Sequence, residues 1–392
     1  ASLVTGADGK FDMTKVVDAS LQNKVATLAI AYKENAPIAK IFKKDNTVSK
    51  VYYAGTTIQT MLTATDSATG KLVLYADYST EADAAYHKYL SKSITFDLNG
   101  YTLKHLTAPD AASKTSDNSK SIFWVNSASA TFTLISSVEG GKIFNASLHL
   151  KNNRNGTPLI TANVDGCAID IIGQIDGKTT LSFYGNEIVQ MYSKAAKLNV
   201  DGGLYVRNRA DNYAMFDLRA LSDCTFKNIL ASGGPVFSFC GRTPTTTANV
   251  TIDNCVLIAD TVIDYISESV TVTITNSVIG GNMTLRNETG NSVVAPTGPR
   301  VTIGKGCKIM AGAKFEGFGV KYDGEVQEIF ESLTYKVPTN DWTVGADNFK
   351  LTDTTVNVEI DKAIVDVFEV DFTKGGETVY TAMVYAGMNA GV

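Results

Sequence analysis

Along this chain apolar residues alternate with polar ones in short runs that end at Asn or Gly. The clearest stretch is Asn249–Leu285, where VTIDNCVLI (Val250–Ile258) returns as VTITNSVIG (Val272–Gly280). Each phrase is an alternating strand, an Asn, one further residue and a second apolar strand. A period of two marks a strand with one face in a core. Asn enters the left-handed conformation more readily than most non-glycine residues, so strand–Asn–strand predicts a sharp corner. The phrase recurs as ITFDLNGYTLK (Ile94–Lys104), FTLISSVEGGKIFN (Phe132–Asn145), CAIDIIGQIDG (Cys167–Gly177), LNVDGGLYVRN (Leu198–Asn208), CTFKNILASGG (Cys224–Gly234) and VTIGKGCKIMAG (Val301–Gly312). Corners at Asp201, Asn228, Asn254, Asn276 and Gly304 are spaced 27, 26, 22 and 28 residues apart. A repeat of about 20–30 residues built from short strands predicts a solenoid, each coil resting on its neighbours.

In such a stack the inward Val, Ile and Leu form one continuous core. The corner residues Asn99, Asn228, Asn254 and Asn276 can bond rung to rung as an amide ladder. Before the repeats, Phe11–Asn35 has helical spacing in its first half, with Met13, Val16, Val17 and Leu21 on one face. A short amphipathic element at Thr57–Thr65 leads into a strand at Gly70–Tyr75, and Asp110–Lys120 reads as a polar loop. After Gly319 the phrase stops. Lys374-Gly375-Gly376 predicts a hairpin turn between Val367–Phe372 and Thr378–Tyr385. The expected organisation is a cap segment at 1–50, a parallel β-helix at 51–319 and an antiparallel β unit at 320–392.

At ITFDLNGYTLK and the VTI-x-N-x-VI repeats, over roughly Tyr52–Lys314, the chain resembles the pectin-lyase-like superfamily of right-handed parallel β-helices. TIQTMLTAT followed by GKLVLYADYS also resembles the lead-in of cell-surface β-helix proteins. The resemblance implies an all-β fold: a right-handed parallel β-helix with an N-terminal cap and a small antiparallel β C-terminal unit. It does not imply one activity, since the superfamily holds lyases, hydrolases, tailspikes, adhesins and inert surface proteins. The Asn-Thr-Asp, Asp-Asp, Gly-His-Gly and Arg-Ile-Lys motifs of polygalacturonases are missing, as is an Arg-centred, pectate-lyase-like calcium site. The departure points to the non-catalytic, cell-surface type.

Composition agrees with a β protein: Gly 32, Pro 8, and 44% hydrophobic residues with no uninterrupted run long enough for a membrane helix. A net charge of −5 without a basic cluster argues against nucleic acid and against an anionic membrane. The chain starts at Ala1, which reads as removal of a signal peptide or as processed numbering. Sequons at Asn145, Asn155, Asn249, Asn282 and Asn287 fit a secreted, cell-surface glycoprotein. The five cysteines lack any CxxC pair or histidine at zinc-ligand spacing, so no metal or cofactor is expected. They read either as small buried apolar residues or as including one disulfide, Cys240–Cys255, whose loop is short.

Two carboxylates on neighbouring coils could flank a glycosidic bond, and Asp217, Asp253 and Asp264 are the candidates for that polysaccharide-active alternative. The scattered placing of these acids favours turn and surface roles, and no enzyme is expected. The uncharged stretch Thr378–Val392 carries more information. A strand without gatekeeper charges must be buried in its own subunit or against another chain, which singles out Thr378, Val379, Tyr380, Val384 and Tyr385. The leading expectation is an extracellular structural subunit that assembles with copies of itself into a filament, appendage or coat. The alternative is a β-helix that binds or acts on surface glycans, an adhesin, lyase or hydrolase.

Overall fold

The computed structural model describes residues 36–68, 70–80, 88–105, 121–145, 158–185, 187–191, 196–207, 214–219, 223–239, 248–259, 261–266, 270–286, 301–310, 315–316, 320–322, 328–334, 359–363 and 367–385. From Pro37 onward these belong to one compact unit. Among them the fold is all-β apart from one helix, Ile58–Ala68. The helical spacing at Phe11–Asn35 and the loop at Asp110–Lys120 lie outside the described residues.

Two successive coils show how the sequence makes the fold. Ala248–Asp253, Val256–Ile258 and Thr261–Ile266 form one; Val270–Thr275, Val278–Ile279 and Asn282–Arg286 form the next. Each strand pairs in parallel with its counterpart one coil on: Val250 with Val272, Leu257 with Ile279, Ile263 with Met283. The chain visits a first, a second and a third sheet in that order and returns to the first. Among the described residues repetition builds sheets of 13, 11 and 9 strands without closing a barrel, a solenoid-like arrangement.

Register converts the sequence phrase into columns. In the first sheet Leu72, Phe96, Leu134, Ile171, Val200, Phe226, Ile252, Ile274 and Ile303 stand one above another, none more than 1% exposed. Each such side chain contributes about 1.5–3 kcal/mol by leaving water. Across the interior Phe226 of the first sheet meets Phe216 and Phe237 of the third, with ring centroids 5.0 and 4.7 Å apart in edge-on geometry. The third sheet was not legible as alternation. Four of its strands, Ile160–Ala162, Val189–Met191, Phe216–Leu218 and Phe237–Phe239, are buried at every position.

The two ends differ. At the leading end Pro37–Phe42 lies antiparallel between Val48–Tyr53 and Lys71–Leu74 on the first sheet's edge. The helix packs Ile58, Met61 and Leu62 into the core, each fully buried. Its Asp66 carboxylate accepts from Ser91 N, Ser91 Oγ and Lys92 N at 2.7–2.9 Å, which fixes the helix to the turn after Lys88–Leu90. At the trailing end the parallel stack continues past Gly319, where the sequence phrase fades. Val320–Tyr322 extends the first sheet and Glu328–Thr334 the second, while Glu359–Ala363 adds antiparallel to the latter. The ribbon Val367–Lys374 and Glu377–Tyr385 is a sheet of its own, turning at Gly375 (φ 66°) and Gly376 (φ 90°). Two positive φ values in succession suit a two-residue hairpin turn whose twist matches the strands.

Candidate functional site

The corner between the first and second sheets carries the repeat's Asn side chains. Asn99, Asn228, Asn254 and Asn276 all have φ between 50° and 56°. Asp201 and Gly304 do not belong with them. They stand in register with Asp253 and Thr275, one position before the corner. That offset gives the ladder a mixed composition. Asn254 Nδ2 donates to Asn228 Oδ1 and Asn228 Nδ2 to Asp201 Oδ1, both at 2.7 Å, but Asn276 Nδ2 donates to Asp253 Oδ1 at 2.9 Å. Asn99 bonds instead to the Leu74 carbonyl at 3.0 Å. Gly306, with φ 71°, sits where an added Cβ would strike Asn276 Oδ1, so glycine closes this run of corners.

The three candidate acids do not assemble into a pair. Asp253 ends a first-sheet strand, and the side chains of Thr275 and Asn276 donate to it, holding its carboxyl below the usual range. Asp217 and Asp264 are in third-sheet strands two coils apart, with Phe237–Phe239 between them. No two are rung neighbours.

Asp217 belongs to a different group, which the sequence did not reveal. Its Oδ2 takes Arg219 Nε at 2.7 Å and Gln190 Nε2 at 3.2 Å, Gln190 being its register neighbour. Glu187 lies beside it, and burial first, then the Asp217 charge, push the Glu187 carboxyl well above its ordinary range; Arg219 and Arg207 oppose this. Both effects favour the protonated form of Glu187, the form in which it donates to Asp217. The network runs on through the Glu187 carbonyl, which accepts Asn145 Nδ2 at 2.9 Å, to His105 Nδ1, 3.1 Å from Asn145 Oδ1. Glu187, Gln190, Arg207 and Asp217 are only 2–3% exposed. Gly233 crosses the Arg207 carbonyl so closely that no side chain would fit there. Such a group sets the geometry of the second-to-third sheet corner and offers no open face to a polymer.

Burial also sorts the modification candidates. Asn145 is fully buried with both amide atoms bonded, so the folded chain has no room for a glycan there. Asn249 is exposed, its amide donating to Asp223 Oδ1 at 3.3 Å, and Asn282 is half-buried. Asn155 and Asn287 lie outside the described residues. Cys255 is a buried thiol, and its partner in the expected Cys240–Cys255 bridge lies outside the described residues. Cys255 Sγ bonds the Asp253 carbonyl at 3.2 Å, as Ser277 Oγ bonds the Thr275 carbonyl at 2.6 Å one coil on. Both use a short side chain to add a second bond to a carbonyl that already accepts a corner amide of the neighbouring coil, Asn228 N and Asn254 N respectively, each at 3.1 Å. Burial raises the Cys255 and Cys224 thiols to about 12, and those of Cys167 and Cys307 also rise, which keeps them as thiols.

The remaining candidate is the ribbon that holds Thr378, Val379, Tyr380, Val384 and Tyr385. In its register Phe368, Val370 and Phe372 stand opposite Val384, Ala382 and Tyr380. By the two-residue period these six positions share one side of the ribbon. Strand Glu377–Tyr385 also approaches Val320–Tyr322, the last strand of the first sheet. Comparison with known proteins returned no matching family model, no matching curated protein and no matching solved structure.

Proposed function

We infer that this chain is a structural subunit: a right-handed β-helix, secreted to the cell surface, that joins copies of itself through its trailing end. The observation that carries the reading is the C-terminal ribbon. It has six apolar or aromatic positions in mutual register and, among the described residues, no third strand in its sheet. A two-stranded ribbon alone is marginal in water, so a further surface is needed to complete it. Among the described residues Val320–Tyr322 is the last strand of the first sheet and pairs on one edge alone, and an unpaired sheet edge invites strand addition. Contact between unlike ends propagates as a filament rather than closing as a dimer. On this reading the leading hairpin and the helix Ile58–Ala68 act as the cap of the opposite end. The polysaccharide-active alternative draws no support from Asp217, Asp253 and Asp264, which share no rung.

The test is a double substitution, Phe368→Lys with Val384→Lys, followed by sedimentation. The wild-type chain should form large species. The variant should require at least about tenfold more protein to do so, the scale expected for a central contact, while its circular dichroism and melting stay unchanged. A wild-type chain that remains single at all concentrations, or a variant that assembles as before, would overturn the reading.

A further inference from the structure

At the leading end the turn Lys43–Asn46 overhangs the outer face of the first sheet and encloses an open groove of about 290 Å³. Its floor is set by register: Lys71, Thr95 and Thr133 stand on three successive rungs, on the outward positions beside the inward Leu72, Phe96 and Leu134. Gly70 lies where the strand passes the Phe42 carbonyl so closely that an added Cβ would clash, which keeps that wall low. Ser93 Oγ accepts Thr131 N at 3.0 Å and steadies the far rim.

The electrostatics of this groove run against those of the chain. The whole sequence carries −5, yet Pro37–Tyr53 holds four lysines and one acid. That acid, Asp45, is turned to Thr47, whose Oγ1 and N donate to it at 2.6 and 3.0 Å; these bonds first, and Lys43 more weakly, keep it ionised. Lys71 is neutralised by the buried Asp97 at 2.6 Å. Lys43 and Lys44, both exposed on the turn, remain as the cations that face outward.

We propose that this groove binds one acidic unit of a charged polysaccharide, Lys43 and Lys44 holding its carboxylate or sulfate and the threonine rungs its hydroxyls. The volume lies at the small end for ligand sites, about 300 Å³. The open top lets the neighbouring units continue into solvent. Hydroxyl-rich walls fit a sugar, and the lining contains none of the aromatic platforms on which nucleic-acid bases stack. A single inorganic anion would leave most of the groove unfilled. This site is independent of assembly through the C-terminal ribbon.

The experiment is calorimetric titration of the full chain at low salt with five probes: a sulfated oligosaccharide, a uronate oligosaccharide, a neutral oligosaccharide of equal length, inorganic sulfate and single-stranded DNA. The same series is repeated on Lys43→Gln/Lys44→Gln, whose exposed side chains leave folding intact by circular dichroism. Expected is binding of one or both charged oligosaccharides, the stronger one identifying the acidic group. That binding should weaken with salt and by at least about tenfold in the double variant, since two charge-assisted contacts are lost. The neutral sugar should not bind. The proposal is overturned if neither charged sugar binds, if the variant binds as well as wild type, or if sulfate or DNA binds as tightly as the sugars.

Discussion

Asn254 does two things with one side chain: it adopts φ 53° at the corner and bonds its amide to Asn228 below. Ala would be strained there by about 1–2 kcal/mol and would lose the bond; Gly would lose the bond alone. Denaturant unfolding should therefore rank wild type above Asn254→Gly, and Asn254→Gly above Asn254→Ala. Equal stability of Gly and Ala variants would show that the left-handed corner is not what Asn supplies. At Glu187 the determining quantity is a proton. Its carboxyl is raised in the folded chain by burial and by Asp217, against about 4.3 when unfolded. Below that value both states are protonated and the group costs nothing. As pH rises the unfolded chain ionises first, so stability falls through the window up to the raised value. Glu187→Gln, which stays neutral and can still donate to Asp217, should raise the melting temperature relative to wild type at pH 8 and hardly at all at pH 4. A difference that is the same at both pH values would contradict a raised Glu187 carboxyl.

Among the elements, the helix Ile58–Ala68 depends on one carboxylate. Asp66 is 6% exposed and satisfies two backbone N–H groups and the Ser91 hydroxyl. Asp66→Ala leaves those donors without that partner and should cost about 2–4 kcal/mol by denaturation, at 1–3 kcal/mol for each orphaned donor less what water recovers. A loss below about 1 kcal/mol would mean the helix is held by Ile58, Met61 and Leu62 alone. Elements differ in how far the sequence announced them. First-sheet strands such as VTID and VTIT alternate because their outer face meets water, so period and register could be read directly. Strands ITA, VQM, FDL and FSF are buried at all three positions and carry no period. The buried acid–arginine group and the basic groove were hidden for another reason. Their members are brought together by coils 20–40 residues apart, as His105 with Asn145 and Lys71 with Thr95 and Thr133. No local motif records such a pairing. The Gly375-Gly376 turn was readable because its two positive φ values demand those residues.

For the whole molecule, the repeated phrase specifies a stack in which strands lie across the direction of growth. Among the described residues the core columns and the corner ladder run along that direction, with a basic hairpin and a helix at the leading end and a two-stranded ribbon at the trailing one. Aligned specimens of the assembled wild-type protein, studied by X-ray fibre diffraction, test this most directly. End-to-end joining should place the strand spacing of about 4.7–4.9 Å along the filament axis, as a meridional reflection. Filaments with that reflection on the equator would contradict end-to-end joining, and a chain that forms no filament at all would contradict assembly itself.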